Sequence, residues 1–129
     1  MLYQPAISKL ACDPQIGGLR AALNRVETPI SCTYSKNDVP LHKIFHRILR
    51  RKKDVGEIQF ASGSKYEAMG GYGPVVEHVK SIPIPAAGVP YPETAPNTQM
   101  LALNGAVGIN GHSDVNNSYT YWAMLNQLR

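Results

Sequence analysis

The sequence predicts an α/β fold, and three observations lead to that prediction. Residues 29–34 (PISCTY) and 99–103 (QMLAL) are short apolar runs typical of buried strands. Apolar residues recur at helical spacing before, between and after these runs. The order of helix, strand, polar loop and helix is the alternation expected of a parallel sheet covered by helices.

Three helices are expected around the two strands. The first spans 14–26, because Asp13 can act as an N-cap and Pro14 suits the first helical turn. Pro40 opens the second, at 40–53, whose apolar stripe ends in a cluster of cations that complements the helix dipole. The third spans 117–128, and its expected buried side consists of Tyr121, Trp122, Leu125 and Leu128.

Residues 54–98 are dense in glycine and proline, which makes a continuous helix improbable there. We expect an irregular insertion that runs over the surface, with room for a strand between 75 and 84. The whole chain, 1–129, is expected to form a single domain because its length leaves little room for a second one.

Composition excludes several classes of protein. The 129 residues are 43% hydrophobic and 17% charged, and no apolar run reaches the roughly 18 residues of a membrane span. Two cysteines, Cys12 and Cys32, cannot build a disulfide-dense scaffold. The first residues lack the pattern of a secretory signal. We therefore expect a cytoplasmic protein with no membrane partner.

Basic residues are concentrated in one segment, 36–53. Seven of the 13 Lys and Arg residues lie there, and subtracting Asp38 leaves a charge of +6. The rest of the chain has 6 basic and 8 acidic residues, hence −2. The simplest interpretation is a solvated helix face; the alternative is a module that binds phosphates or nucleic acid. Only Phe45 is aromatic within this helix and it faces the apolar stripe, which argues against nucleic-acid stacking.

Two polar loops follow the predicted strands. Asp38 lies in the first, at 35–38, and His112 in the second, at 110–114. Because functional groups collect at the carboxyl ends of strands in open α/β sheets, these two side chains could meet. The carboxylate would then orient the imidazole as a general base. Spacing alone leaves open that Asp38 merely caps the following helix and that Asp114 merely shapes a turn.

Three segments together resemble a known family. Residues 33–41 (TYSKNDVPL), 65–74 (KYEAMGGYGP) and 111–115 (GHSDV) look like the C-terminal part of certain poorly characterised α/β-hydrolase-fold, serine-hydrolase-like proteins. The resemblance implies a partial α/β-hydrolase sheet made of the last strands and helices of that fold. It implies that Asp38 is the triad acid and His112 the triad base, with Asn37 and Asp114 as supporting groups.

The nucleophile of that family is missing from the sequence. Its serine lies in a G-x-S-x-G elbow, and no such motif occurs here. We therefore expect a hydrolase-like chain that lacks its nucleophile. It should be inactive on an ester or acyl substrate unless a separate N-terminal portion supplies the serine. Self-association through the open sheet edge is a second expectation. A non-catalytic structural or interaction remnant is the alternative to a hydrolase.

No cofactor is implied by these residues. The pair His42 and His46 has a spacing at which two imidazoles could share a metal ion on one helix face. No glutamate stands in an H-E-x-x-H arrangement beside them, and the cysteines are remote in sequence. The sequence therefore predicts no metal site.

Overall fold

The computed structural model describes residues 1–45 and 67–128. They form a small mixed α/β arrangement built on a three-stranded parallel sheet, as the sequence predicts at this coarse level. The elements in chain order are α1 (Arg20–Leu23), β1 (Ile30–Tyr34), α2 (Val39–Lys43), α3 (Met69–Tyr72), β2 (Val79–Pro83), β3 (Met100–Asn104) and α4 (Ser118–Gln127).

The sheet has the order β1-β3-β2, and both pairings are parallel. Met100 of β3 is in register with Ile30 of β1 and with Val79 of β2. The two predicted strands are thus confirmed to within a residue at each end. Because β1 and β3 are adjacent and parallel, the loops that follow them leave the same edge of the sheet side by side.

The sheet is a middle layer between helices. Side chains alternate along β3: Met100 packs with Leu23 of α1 and Met69 of α3, whereas Leu101 packs with Ala123 of α4. Two hydrophobic clusters therefore lie on opposite faces of one sheet. Residues 100–103 are buried throughout, as expected for a central strand covered on both sides.

The N-terminal residues lie along the outer edge of β1. The Leu2 N–H donates to the Ser31 carbonyl at 2.8 Å, and the Leu2 carbonyl accepts from the Thr33 N–H at 2.9 Å. A single parallel bridge joins Leu2 to Cys32. The edge of the first strand, which the sequence suggests is open, is therefore partly covered by the chain itself.

The prediction of a helix over 14–26 is wrong for most of its length, since only Arg20–Leu23 is helical. The Asp13 side chain accepts from the N–H groups of Gln15 and Ile16, which closes a turn. The Leu19 N–H then donates to the Ala11 carbonyl at 2.8 Å, so the chain folds back. A Cβ at Gly17 would lie 2.5 Å from the Asp13 nitrogen, so this turn requires glycine.

The C-terminal helix is confirmed, but three of the four side chains predicted to be buried are exposed, and the fourth, Trp122, is partly buried. Asn117 caps α4 with a reciprocal capping box to Thr120. The side chains of Tyr121, Leu125 and Leu128 are 51%, 48% and 77% exposed, while Thr120 and Ala123 are buried. The fully buried side chains of the helix are therefore small, and Tyr119 packs partly buried against the cluster that contains Leu101 and Ala123. No helix in the described residues is long and apolar enough to cross a membrane.

The remaining predictions are met in part. A helix is expected over 40–53. In the structure α2 begins at Val39 and ends at Lys43, and residues 46–53 lie outside the described residues. The expected insertion at 54–98 is not irregular throughout. Its described part, 67–98, contributes α3 and the sheet strand β2. The strand suggested between 75 and 84 is found at Val79–Pro83.

A pair of truncations tests the location of the core. We expect Leu103→Ala to lower the free energy of unfolding by about 2–5 kcal/mol, because Leu103 has no exposed surface. Leu128→Ala should change it by no more than about 0.5 kcal/mol, because that side chain is mostly solvated. Urea unfolding measures both, and equal losses would contradict the placement of Leu128 outside the core.

Candidate active site

The carboxylate of Asp38 and the imidazole of His112 meet at the carboxyl edge of the sheet. His112 Nδ1 lies 2.8 Å from Asp38 Oδ2 and 3.1 Å from Oδ1. Asp38 follows β1 and His112 follows β3, so the parallel pairing of these strands brings together residues 74 positions apart. The juxtaposition expected from the sequence is therefore present.

Asp38 also caps a helix, so its carboxylate makes both contacts that the sequence suggests, one with His112 and one with the helix start. Its Oδ1 accepts from the Leu41 N–H at 3.0 Å, and α2 begins immediately after it. The Asp38 side chain has no exposed surface, whereas that of His112 is 44% exposed. A fully buried carboxylate thus faces a half-exposed imidazole, and the cap anchors the carboxylate from the protein side.

A third donor, Gln4, reaches the same carboxylate. Its side-chain Nε2 donates to Asp38 Oδ2 at 2.8 Å, and the residue is buried. Sequence reasoning missed Gln4. No local pattern marks it, because the contact spans 34 positions and arises only when the N-terminal segment lies along the outer edge of β1.

This geometry determines which ring nitrogen of His112 is available. An ionised carboxylate only accepts hydrogen bonds, so Nδ1 donates to Asp38 and carries the proton of the neutral ring. Nε2 then carries the free lone pair. Among the described residues Nε2 has no hydrogen-bond partner. The pair is therefore arranged to accept a proton at Nε2 while Asp38 stabilises the resulting imidazolium.

Asn37 joins the two loops without touching the pair. Its Nδ2 donates to the carbonyls of Ala106 and Ile109 at 3.0 and 3.1 Å. The Ser35 hydroxyl donates to the same Ile109 carbonyl at 2.9 Å. The loop 35–38, which carries Asp38, is thus hydrogen-bonded to backbone carbonyls that precede the loop 110–114, which carries His112 and is called the histidine loop below. No spacing rule could indicate these contacts.

Asp114 organises the loop that carries His112. Its Oδ2 accepts from the Asn110 N–H at 2.8 Å, and its Oδ1 accepts from Asn117 Nδ2 at 3.2 Å. These contacts, the Asn110 backbone N–H first, hold the pKa of the Asp114 carboxyl below its usual range. Asp114 contacts neither Asp38 nor His112, so it shapes the turn while supporting the site at a distance.

Other candidates stand apart from this pair. The His42 ring packs against Tyr72 with centroids 4.2 Å apart, and its proposed metal partner, His46, lies outside the described residues. Within 1–45 and 67–128 no group of three or more His, Cys, Asp or Glu could hold a metal ion. Of the seven cations in the basic segment, only Lys36 and Lys43 are described, and both are exposed.

The two cysteines are core residues. Both are free and buried. Burial raises the pKa of the Cys32 thiol to about 12, with a smaller contribution from Cys12 nearby. A thiol in such surroundings is inert as a nucleophile, and Cys32 packs in the hydrophobic core.

Two cavities lie near the amino ends of the strands, away from the Asp38–His112 pair. The larger, about 380 Å³, is lined by residues that include Cys12 and Gln99, and the smaller, about 220 Å³, by residues that include Pro29 and Tyr91. Gln99 and Pro29 directly precede β3 and β1. Neither of these cavities is lined by Asp38 or His112.

Comparison with known proteins adds no relative. No protein-family model matches the chain, and no curated protein or solved structure matches it.

Acid should break the hydrogen bonds that Asp114 accepts in the loop that carries His112. Because the folded pKa of Asp114 is lowered, its stabilising contacts are present above the ordinary carboxyl value of about 3.9 and are lost as pH falls through the lowered pKa. We expect the Asn110 backbone amide resonance to shift in that acidic range in an NMR titration. Asp114→Asn should abolish the transition. The matched control Asp13→Asn removes another loop carboxylate that caps two N–H groups and should leave it unchanged.

Proposed function

We propose that this chain is the C-terminal portion of a serine-hydrolase-like protein that cleaves an ester or acyl bond. Asp38 is the acid and His112 the general base. The observation that carries the proposal is the 2.8 Å contact between His112 Nδ1 and a fully buried carboxylate, with the imidazole half exposed. This is the arrangement that a histidine needs in order to take a proton from an alcohol at Nε2.

The strand order supports the same proposal. In the resembling family the acid and the histidine follow successive strands of one parallel sheet, and here they follow the adjacent parallel strands β1 and β3. The strand β2 lies on the far side of β3 and belongs to the segment between them. A partial hydrolase sheet with one added strand accounts for this order.

The nucleophile must come from outside these 129 residues. The sequence contains no G-x-S-x-G elbow. Of the serines near the pair, Ser35 is fully buried and donates to the Ile109 carbonyl, and the Ser113 side chain has no hydrogen bond to His112 in the described part of the chain. We therefore assign the serine and the oxyanion-binding N–H groups to a separate or preceding polypeptide portion.

The reaction then divides between the two portions. His112 Nε2 takes the proton of the serine as it attacks the acyl carbon, and gives it to the leaving group. Asp38 remains ionised and stabilises the imidazolium. The chemistry requires no cofactor. Free buried cysteines suit a reducing compartment, so the proposal places the protein in the cytoplasm.

The test is to express the chain fused to the polypeptide encoded in frame immediately before it and to treat the product with a fluorophosphonate serine probe. We expect labelling of a serine in a G-x-S-x-G elbow of the added portion, and none of the 129-residue chain alone. His112→Ala should lower ester hydrolysis by about 10⁶-fold and Asp38→Asn by about 10⁴-fold.

The control is His78→Ala, which removes an exposed imidazole far from the pair in sequence and should leave hydrolysis unchanged. Two results would contradict the proposal. One is labelling of the 129-residue chain by itself, because the nucleophile would then lie within it. The other is hydrolysis by the completed protein at the same rate with and without the His112 imidazole.

A further inference from the structure

The Gln4 side chain is buried against the carboxylate of the pair. Gln4 is 4% exposed, and its Nε2 lies 2.8 Å from Asp38 Oδ2, the oxygen that also lies 2.8 Å from His112 Nδ1. The other oxygen, Oδ1, accepts from the Leu41 N–H. Each carboxylate oxygen therefore has one donor from the protein besides the imidazole.

The backbone of Gln4 is held in an unusual conformation. Its φ is +35°, and among the described residues it is the only non-glycine with a positive φ. Its N–H donates to Thr33 Oγ1 at 2.9 Å, and Gly70 packs so closely that a Cβ there would lie 2.3 Å from the Gln4 carbonyl carbon. Strained backbone of this kind persists only where the surroundings impose it, and it concentrates at functional sites.

The amide orientation of Gln4 serves the carboxylate alone. Its Oε1 is buried and has no hydrogen-bond partner in the described structure. A buried acceptor without a partner is unfavourable. The opposite orientation would place Oε1 against the oxygens of Asp38, where two acceptors repel each other. The fold therefore leaves one amide atom unsatisfied in order to keep the other on Asp38.

We propose that Gln4 is a positioning residue that, together with the Leu41 N–H, fixes the plane of the Asp38 carboxylate before His112 engages it. With a donor on each oxygen, the carboxylate cannot rotate about its terminal bond without losing a hydrogen bond. With the helix cap alone, only one of these two hydrogen bonds opposes that rotation. The consequence for catalysis rests on the proposed function, but the effect on the imidazole hydrogen bond does not.

NMR of the histidine ring in the 129-residue chain tests this role. Gln4→Met keeps the length of the side chain and removes the donor. We expect the His112 Nδ1 proton to exchange with water about tenfold faster, because hydrogen bonds to charged groups contribute that much to closing such a contact. The imidazole nitrogen shifts should also show more of the tautomer protonated at Nε2. The control Gln15→Met, at an exposed glutamine, should change neither.

Two further variants separate positioning from general destabilisation. Leu23→Ala weakens the core cluster on the helix α1 side and should leave the His112 exchange rate unchanged. Thr33→Val keeps the shape of a buried residue, removes the acceptor of the Gln4 N–H, and should act in the same direction as Gln4→Met with a smaller effect. It also keeps the test decisive if Gln4→Met does not fold.

An unchanged exchange rate and tautomer in both Gln4→Met and Thr33→Val would overturn the proposal, as would an equal acceleration in Leu23→Ala. These outcomes are independent of hydrolysis. If the fused protein fails to cleave esters while the His112 proton still responds to Gln4, the proposed function fails and the positioning role stands. If esters are cleaved and the His112 proton does not respond to Gln4, the proposed function stands and the positioning role fails.

Discussion

The carboxylate of Asp38 has no exposed surface, and a buried charge must be met by hydrogen-bond donors or the fold loses several kcal/mol. Those donors come from three parts of the chain: the N-terminal segment through Gln4, the first turn of α2 through Leu41, and the loop after β3 through His112. One side chain therefore ties together segments that the sequence separates widely. The position of each depends on the others, which makes this carboxylate the centre of the site.

The loops around the carboxylate are held by backbone groups more than by packing. Asn37 satisfies carbonyls that precede the histidine loop, and Asn117 both caps α4 and donates to Asp114 and to the Gly108 carbonyl. Such networks are rigid when every member has a partner, so they restrict the motion of the loop that carries His112. The half-exposed His112 is thus carried by a loop that Asp114 and Asn117 hold through hydrogen bonds within it.

The proposed function divides the base and the nucleophile between two portions, and such a division would have a physical basis. The acid and histidine need only two adjacent parallel strands, which a short chain can form. An elbow serine and its oxyanion-binding groups need further strands and helices, because a strained strand-to-helix turn requires a surrounding sheet to hold it. Under the proposed function, a chain of this length positions the base and another portion supplies the nucleophile.

Local patterns in the sequence predict the strands β1 and β3, the C-terminal helix and the two loops that carry Asp38 and His112, because apolar runs, caps and turn residues act over a few positions. Three features become visible only in the folded chain: Gln4 completes the carboxylate's donors, the first helix is short, and α4 buries Thr120 and Ala123. Each of these depends on which distant segment lies alongside. Helical spacing shows which residues share a face, but it cannot show which face turns inward, because that depends on the segments packed around the helix.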